Sequence, residues 1–182
     1  FLGQAMWIFI KGFISWRFGT FETSVYEAYY QYTYIYPSFI VYGINMAYHP
    51  KILRGEGHKS VRDAIILGTL FFIVFLVLNL IFGKFIFDLL FTEKLYIGIQ
   101  LLIAWIVLSL GLFFWEIQVM RLIHYRRERI AFIYFLSYFL FTVIFIISFG
   151  KALSNQNEIL LVQTILIWLL VLLVELKLRS LR

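Results

Sequence analysis

The chain contains no cysteine, only two prolines and only 14% charged residues among its 182 positions. The lack of cysteine removes disulfides, thiol nucleophiles and thiolate metal sites, and carries no information about compartment. The shortage of charge excludes more. A soluble domain is about half apolar and about a quarter charged, whereas 63% of this chain is hydrophobic and its mean hydropathy is +0.90. Such a chain has too little polar surface to remain in water and reads as an integral membrane protein. Long hydrophilic stretches are missing too, so no soluble domain, linker, low-complexity tract or internal repeat is evident. The three histidines, His49, His58 and His124, include no i, i+4 pair and have no carboxylate cluster beside them, so no metal site is expected. Gly55-Glu56-Gly57 is too short and too acidic to cradle a phosphate. No paired carboxylates or His–Asp couple of the kind a membrane transferase carries are found, and neither enzymatic activity nor a cofactor is expected.

What remains is a set of long apolar runs. A helix needs about 20 apolar residues to cross the hydrocarbon core. Six candidates fit, at about residues 1–16, 24–48, 64–87, 95–120, 130–149 and 159–176. A barrel strand is about 10 residues long and alternates in polarity; these runs are longer and do not alternate. The expectation is an all-α polytopic protein, a bundle of six transmembrane helices forming a single domain over residues 1–182. The first run starts at Phe1 inside apolar sequence with no charged leader, so the expectation is a fragment of a longer protein rather than a signal peptide.

The formal net charge of +6 is distributed between the runs. No basic helix face or RNA-binding motif accompanies it, so a nucleic-acid partner is not expected. Lys51, Arg54, Lys59 and Arg62 follow the second run, Arg121, Arg126, Arg127 and Arg129 follow the fourth, and Lys177, Arg179 and Arg182 close the chain. The alternate loops hold Arg17, Lys84, Lys94 and Lys151. Eleven against four is a positive-inside bias. It predicts that the even-numbered helices and the C-terminus end in the cytoplasm.

The second run is the wettest. The stretch from Val25 to Asp63 holds eight of the twelve tyrosines. On a helix, Glu27, Gln31, Tyr34, Ser38, Tyr42 and Asn45 follow one another at steps of three or four and share a face. A polar face inside a membrane turns to protein or to a hydrated cavity, not to lipid. Glu27, Gln31, Tyr34, Ser38 and Asn45 are therefore candidate cavity residues, with inter-helix hydrogen bonding as the alternative. Pro37 interrupts the backbone ladder mid-helix and predicts a kink. Lys11, inside the first run, would meet anionic cargo as a point charge, and Arg17 would offer a bidentate phosphate contact. The competing readings are snorkelling for Lys11 and plain loop placement for Arg17. Asn79, Gln100 and Gln163 read as inter-helix hydrogen-bonding residues. Glu116 and Glu175 read as partners in local salt bridges with Arg121, Lys177 or Arg179.

A tyrosine-rich second helix leads into Pro50-Lys51-Ile52-Leu53-Arg54, a polar linker, and a third helix entered through Val61-Arg62-Asp63. That helix closes near Phe87-Asp88-Leu89-Leu90-Phe91, and a basic hairpin, His124 to Arg129, separates the fourth and fifth helices. This pattern resembles the C-terminal half of a bacterial polysaccharide or O-antigen flippase, of the multidrug/oligosaccharidyl-lipid/polysaccharide exporter superfamily. The resemblance implies one lobe of a two-lobe transporter in the bacterial inner membrane. It implies alternating access, an undecaprenyl-pyrophosphate-linked oligosaccharide as cargo, a coupling ion such as H+ or Na+, and an N-terminal lobe of the same parent chain as partner. The cationic role in the cavity falls on Lys11 and Arg17. The chain departs from the family in carrying Thr92-Glu93 where a Gly commonly follows the Leu-Phe pair. A drug or cation antiporter of the same superfamily, with Glu27 as the coupling carboxylate, and a membrane enzyme of cell-envelope polysaccharide assembly are the alternatives.

Overall fold

The structure, a computed structural model, describes residues 2–54, 57–91 and 95–179. Phe1, Lys94, Arg182 and the Gly55-Glu56 and Thr92-Glu93 pairs lie outside the described residues, as does the side chain of His58. All regular structure among the described residues is helical. The order is α1 (Leu2–Phe18), α2 (Thr20–Tyr30), a π-helical turn (Gln31–Ile35), α3 (Tyr36–Leu53), α4 (Gly57–Leu90), α5 (Ile99–His124), α6 (Glu128–Phe149) and α7 (Gln156–Arg179).

Four of these, α4 to α7, are long and apolar enough to cross a bilayer. The spans of 26, 22 and 24 residues in α5, α6 and α7 match a hydrocarbon core of about 30 Å at about 1.5 Å per residue. The chain is built as a multi-pass membrane protein. The expected run at 64–87 begins earlier, at Gly57, and α4 reaches 34 residues. The α6 end at Phe149 falls where expected, and the other α4 to α7 boundaries differ from expectation by two to four residues, as helix ends generally do.

The punctuation between helices follows local chemistry. Gly19, at φ 97°, stands between α1 and α2 in the left-handed region that a side chain resists. Between α5 and α6 the turn is tight: Arg126 N–H donates to Ile123 O and Arg127 N–H to Leu122 O, both at 2.8 Å. With Arg126 at φ 53°, this is a Schellman closure carrying arginine where glycine is usual.

Residues 20–53 form one helical rod interrupted by the π-helical turn. The turn sits just before Pro37, whose ring would clash with the carbonyl four residues back in an α-helix. One extra residue in the turn widens the ladder: Tyr36 N–H bonds to Gln31 O, five residues back. The interruption expected at Pro37 is thus a register change centred on residues 31–35.

α5 is the central helix. Its most apolar stretch is 56% buried, against 17% for that of α4. It packs against α3, α4, α6 and α7 and against the π-helical turn. α1, α2, α5, α7 and α6 touch in sequence around a closed ring, while α3 and α4 pack together on the far side of α5. Two contacts set helix spacing. Any side chain on Gly68 would run into the Phe113 ring, and a Cβ on Gly111 would lie 2.9 Å from Ile167 and 3.2 Å from Trp168 Nε1. The outward face of α4 exposes Ile66, Leu70, Ile73, Val77 and Ile81, the apolar surface that lipid covers.

The end of the bundle formed by the C-termini of α3, α5 and α7 collects ten described Lys and Arg residues: four at positions 51–62, four at 121–129, and Lys177 and Arg179. Arg17, Lys84 and Lys151 are the described basic residues at the opposite end.

Candidate functional site

Polar side chains inside the bundle are joined across helices. The Tyr26 hydroxyl donates to Gln163 Oε1 at 2.8 Å, tying α2 to α7. The Tyr32 hydroxyl donates to Asn79 Oδ1 at 2.6 Å, tying the π-helical turn to α4. Asn45 Nδ2 donates to Glu116 Oε2 at 2.7 Å, tying α3 to α5. Toward the basic end, buried Arg121 donates to Gln118 Oε1 at 2.8 Å and pairs with Glu175 of α7, which also accepts from Gln118 at 2.9 Å. The inter-helix role expected of Asn79 and Gln163 is seen in these contacts, and so is the ion pairing expected of Glu175. Gln100 is exposed.

The ring of α1, α2, α5, α6 and α7, with the π-helical turn, lines a partly open cavity of about 410 Å³, within the range of small-molecule sites. Its walls are aromatic. Trp7 of α1 stacks on Tyr30 at 3.6 Å between centroids and on Tyr26 at 5.0 Å. Tyr30 stacks in turn on Tyr34 of the π-helical turn at 5.1 Å. Trp105 of α5 meets Tyr26 edge-on at 4.7 Å. The facing wall is Trp115 of α5 with Phe135 and Tyr138 of α6, at 5.9 and 5.8 Å along the row. Rings in these offset and edge-to-face arrangements attract one another and hold the walls together. The polar lining consists of the tyrosine hydroxyls, Ser109, Gln163 and the Glu116 carboxylate. No Lys, Arg or His is among the described lining residues.

The candidate cavity residues from the sequence are placed as follows. Tyr34 lines the cavity. Glu27 faces α1, where it accepts from Lys11 Nζ at 2.7 Å. The Lys11 ammonium also stands 6.0 Å from the centroid of Trp7, so it is neutralised beside the cavity rather than presented to it. Arg17 caps the turn after α6, donating to Gly150 O at 3.4 Å and Lys151 O at 3.2 Å. Gln31 is half-buried. Ser38 bonds back to Ile35 O at 2.6 Å and lines a space of about 10 Å³ behind Tyr34 and Glu116, about the size of one water. Asn45 reaches the site only through Glu116. Tyr42, read on the same stripe, is exposed. The stripe divides because the π-helical turn inserts a residue, which rotates everything downstream by about 100° relative to a uniform α-helix.

Glu116 is the residue the sequence reading placed differently. It read as a local partner of Arg121. The spacing of five argues against that, since residues three or four apart face each other on a helix and residues five apart do not. The cavity's tryptophans and the α6 tyrosine carry no signal of their own in a chain that is 21% aromatic. Among the described residues no three His, Asp or Glu side chains gather as a metal site requires. Comparison of the chain with protein families, curated proteins and solved structures finds no match.

Proposed function

We propose that the chain is a six-span lobe of a bacterial inner-membrane transporter that moves a lipid-linked oligosaccharide by alternating access. In this reading α1 and the rod over residues 20–53 cross the membrane together with α4 to α7, and the basic end faces the cytoplasm. The observation that carries the reading is the cavity. Its stacked indole and phenol rings offer flat faces to the C–H surfaces of sugars, and Gln163, Glu116 and the tyrosine hydroxyls offer hydrogen bonds to sugar hydroxyls. The π-helical turn beside it supports the reading as well, since such interruptions concentrate at functional sites and give a helix a place to flex. The saccharide part of the cargo is assigned to this cavity. The pyrophosphate is assigned outside it, because Lys11 is paired with Glu27 and Arg17 lies at the end of α1.

The test is export of the oligosaccharide in cells whose own exporter is deleted and replaced by the parent gene. Trp105→Ala and Tyr30→Ala are expected to lower export at unchanged protein level, while Phe39→Ala, on the exposed face of α3, leaves it intact. Full export by both cavity variants would reject the assignment of cargo to this cavity.

A further inference from the structure

The charge balance of the cavity carries an inference that holds whether the cargo is a saccharide or not. Among the described residues, three other carboxylates on the helices have a basic partner, Glu27 with Lys11, Asp88 with Lys84, and Glu175 with Arg121 and Arg179, while Glu22, near the start of α2 and away from the cavity lining, accepts from the Gln156 amide. Glu116 has no basic partner. Its hydrogen-bond partner is the neutral Asn45 amide. The other titratable groups lining the cavity are phenols, Tyr26, Tyr30 and Tyr34 from the rod and Tyr138 from α6. An unpaired carboxylate at membrane depth is costly, and a countercharge from the chain would have been easy to supply. This one opens instead onto a volume walled by tryptophan and tyrosine rings. Stacked aromatic faces around a single carboxylate, with no competing ammonium or guanidinium, is the chemistry that recognises organic cations: the ring quadrupoles attract the diffuse positive charge, and the carboxylate neutralises it.

We propose that this cavity binds an organic cation, a quaternary or protonated ammonium group on an apolar or saccharide body, with Glu116 as its counterion and the Trp7, Tyr34 and Trp115 rings as its aromatic wall. The size fits this class of ligand: a proton or a bare sodium ion needs no volume of about 410 Å³, whereas a ligand of that size does. A ligand seated there ties α1, α2, α5 and α6 together and lies against the π-helical turn, so its arrival and departure act directly on the helix best built to flex.

The experiment compares two probes of the same shape, benzyltrimethylammonium and its uncharged carbon isostere 2,2-dimethylpropylbenzene. Both are titrated against the purified chain in nanodiscs of zwitterionic lipid and read by tryptophan fluorescence. Three of the five tryptophans, Trp7, Trp105 and Trp115, line the cavity. The expected result is saturable quenching by the cation with at least about tenfold tighter binding than the isostere. Glu116→Gln is expected to abolish that preference, and Glu116→Asp to keep most of it. Equal binding of the two probes to the unaltered chain, or no binding of the cation, overturns the proposal without reference to any variant. So does a Glu116→Gln protein that keeps the preference. Full export by both cavity variants in the cellular test would reject the saccharide reading and leave this comparison unaffected, so the two readings fail separately.

Discussion

The polar contacts inside the bundle are few, and each has a partner it cannot easily replace. Gln163 is buried, and its Oε1 accepts from the Tyr26 hydroxyl. Tyr26→Phe removes the donor, keeps the ring packing against Trp7 and Trp105, and leaves a buried acceptor unpaired. The expected loss is about 1 kcal/mol, the usual size of an inter-helix hydrogen bond in a membrane, measurable as a lower unfolding midpoint in detergent. Arg121 is a harder case. Its side chain is 7% exposed and holds Glu175 at 27%, whereas the second partner, Arg179, is 70% exposed. Arg121→Met is expected to cost about 2–3 kcal/mol by stranding a partly buried carboxylate. Arg179→Met should cost no more than about 0.5 kcal/mol. Arg121→Met combined with Glu175→Gln should recover part of the larger loss, and a double variant no better than the single would show that the pair is not what holds α5 to α7. At this scale the sequence allowed the pairing of Glu175 to be read, because Arg and Lys lie within one turn of it. It did not allow the partner of Glu116 to be read, because Asn45 is 71 positions away and only the packed bundle brings the two together.

Among the elements, the turn between α5 and α6 carries a visible strain. Arg126 occupies the left-handed C′ position of a Schellman closure, where a side chain costs about 1 kcal/mol relative to glycine. Arg126→Gly should therefore stabilise the chain by up to about 1 kcal/mol, offset in part by the freer unfolded state of glycine. Thermal unfolding compared with Arg127→Gly, at a neighbouring position with negative φ, isolates the effect. A destabilised Arg126→Gly would mean that the arginine side chain itself holds the turn. Close approach is the opposite constraint. α5 and α7 meet at Gly111, where a Cβ would lie 2.9 Å from Ile167, so Gly111→Leu should separate these helices and lower stability by more than about 2 kcal/mol. The existence and approximate length of α4 to α7 were readable from apolar runs because the bilayer fixes how long such a run must be. The π-helical turn was not. Pro37 marks that something interrupts the ladder, but whether the chain answers with a kink or with one inserted residue is decided by what the neighbouring helix leaves room for. A stripe from Glu27 to Asn45 holds only for a constant helical period, and the inserted residue sends its two halves to different neighbours.

For the whole molecule, the open quantity is direction. The structure separates ten described basic residues at one end from three at the other, and the positive-inside rule turns that asymmetry into an orientation. The chain suits a direct test because it has no cysteine, so a single introduced thiol is the only one present and no background substitution is needed. Ser154, exposed in the turn between α6 and α7 at the sparsely charged end, and Arg127, exposed in the α5–α6 turn at the basic end, are separated by the full length of α6. Ser154→Cys should react with a membrane-impermeant maleimide in intact cells, and Arg127→Cys only after permeabilisation. The reverse pattern would invert the assigned topology. Equal labelling at both positions would place both turns on one side and remove α6 from the set of spans. The expected pattern also bears on the cavity. With the basic end inside, Glu116, which lies within the last third of α5, falls on the cytoplasmic side of the bilayer midplane. On the proposed transport reading, the cavity would then be filled from the cytoplasmic side, and its contents would leave past Tyr26 and Trp105.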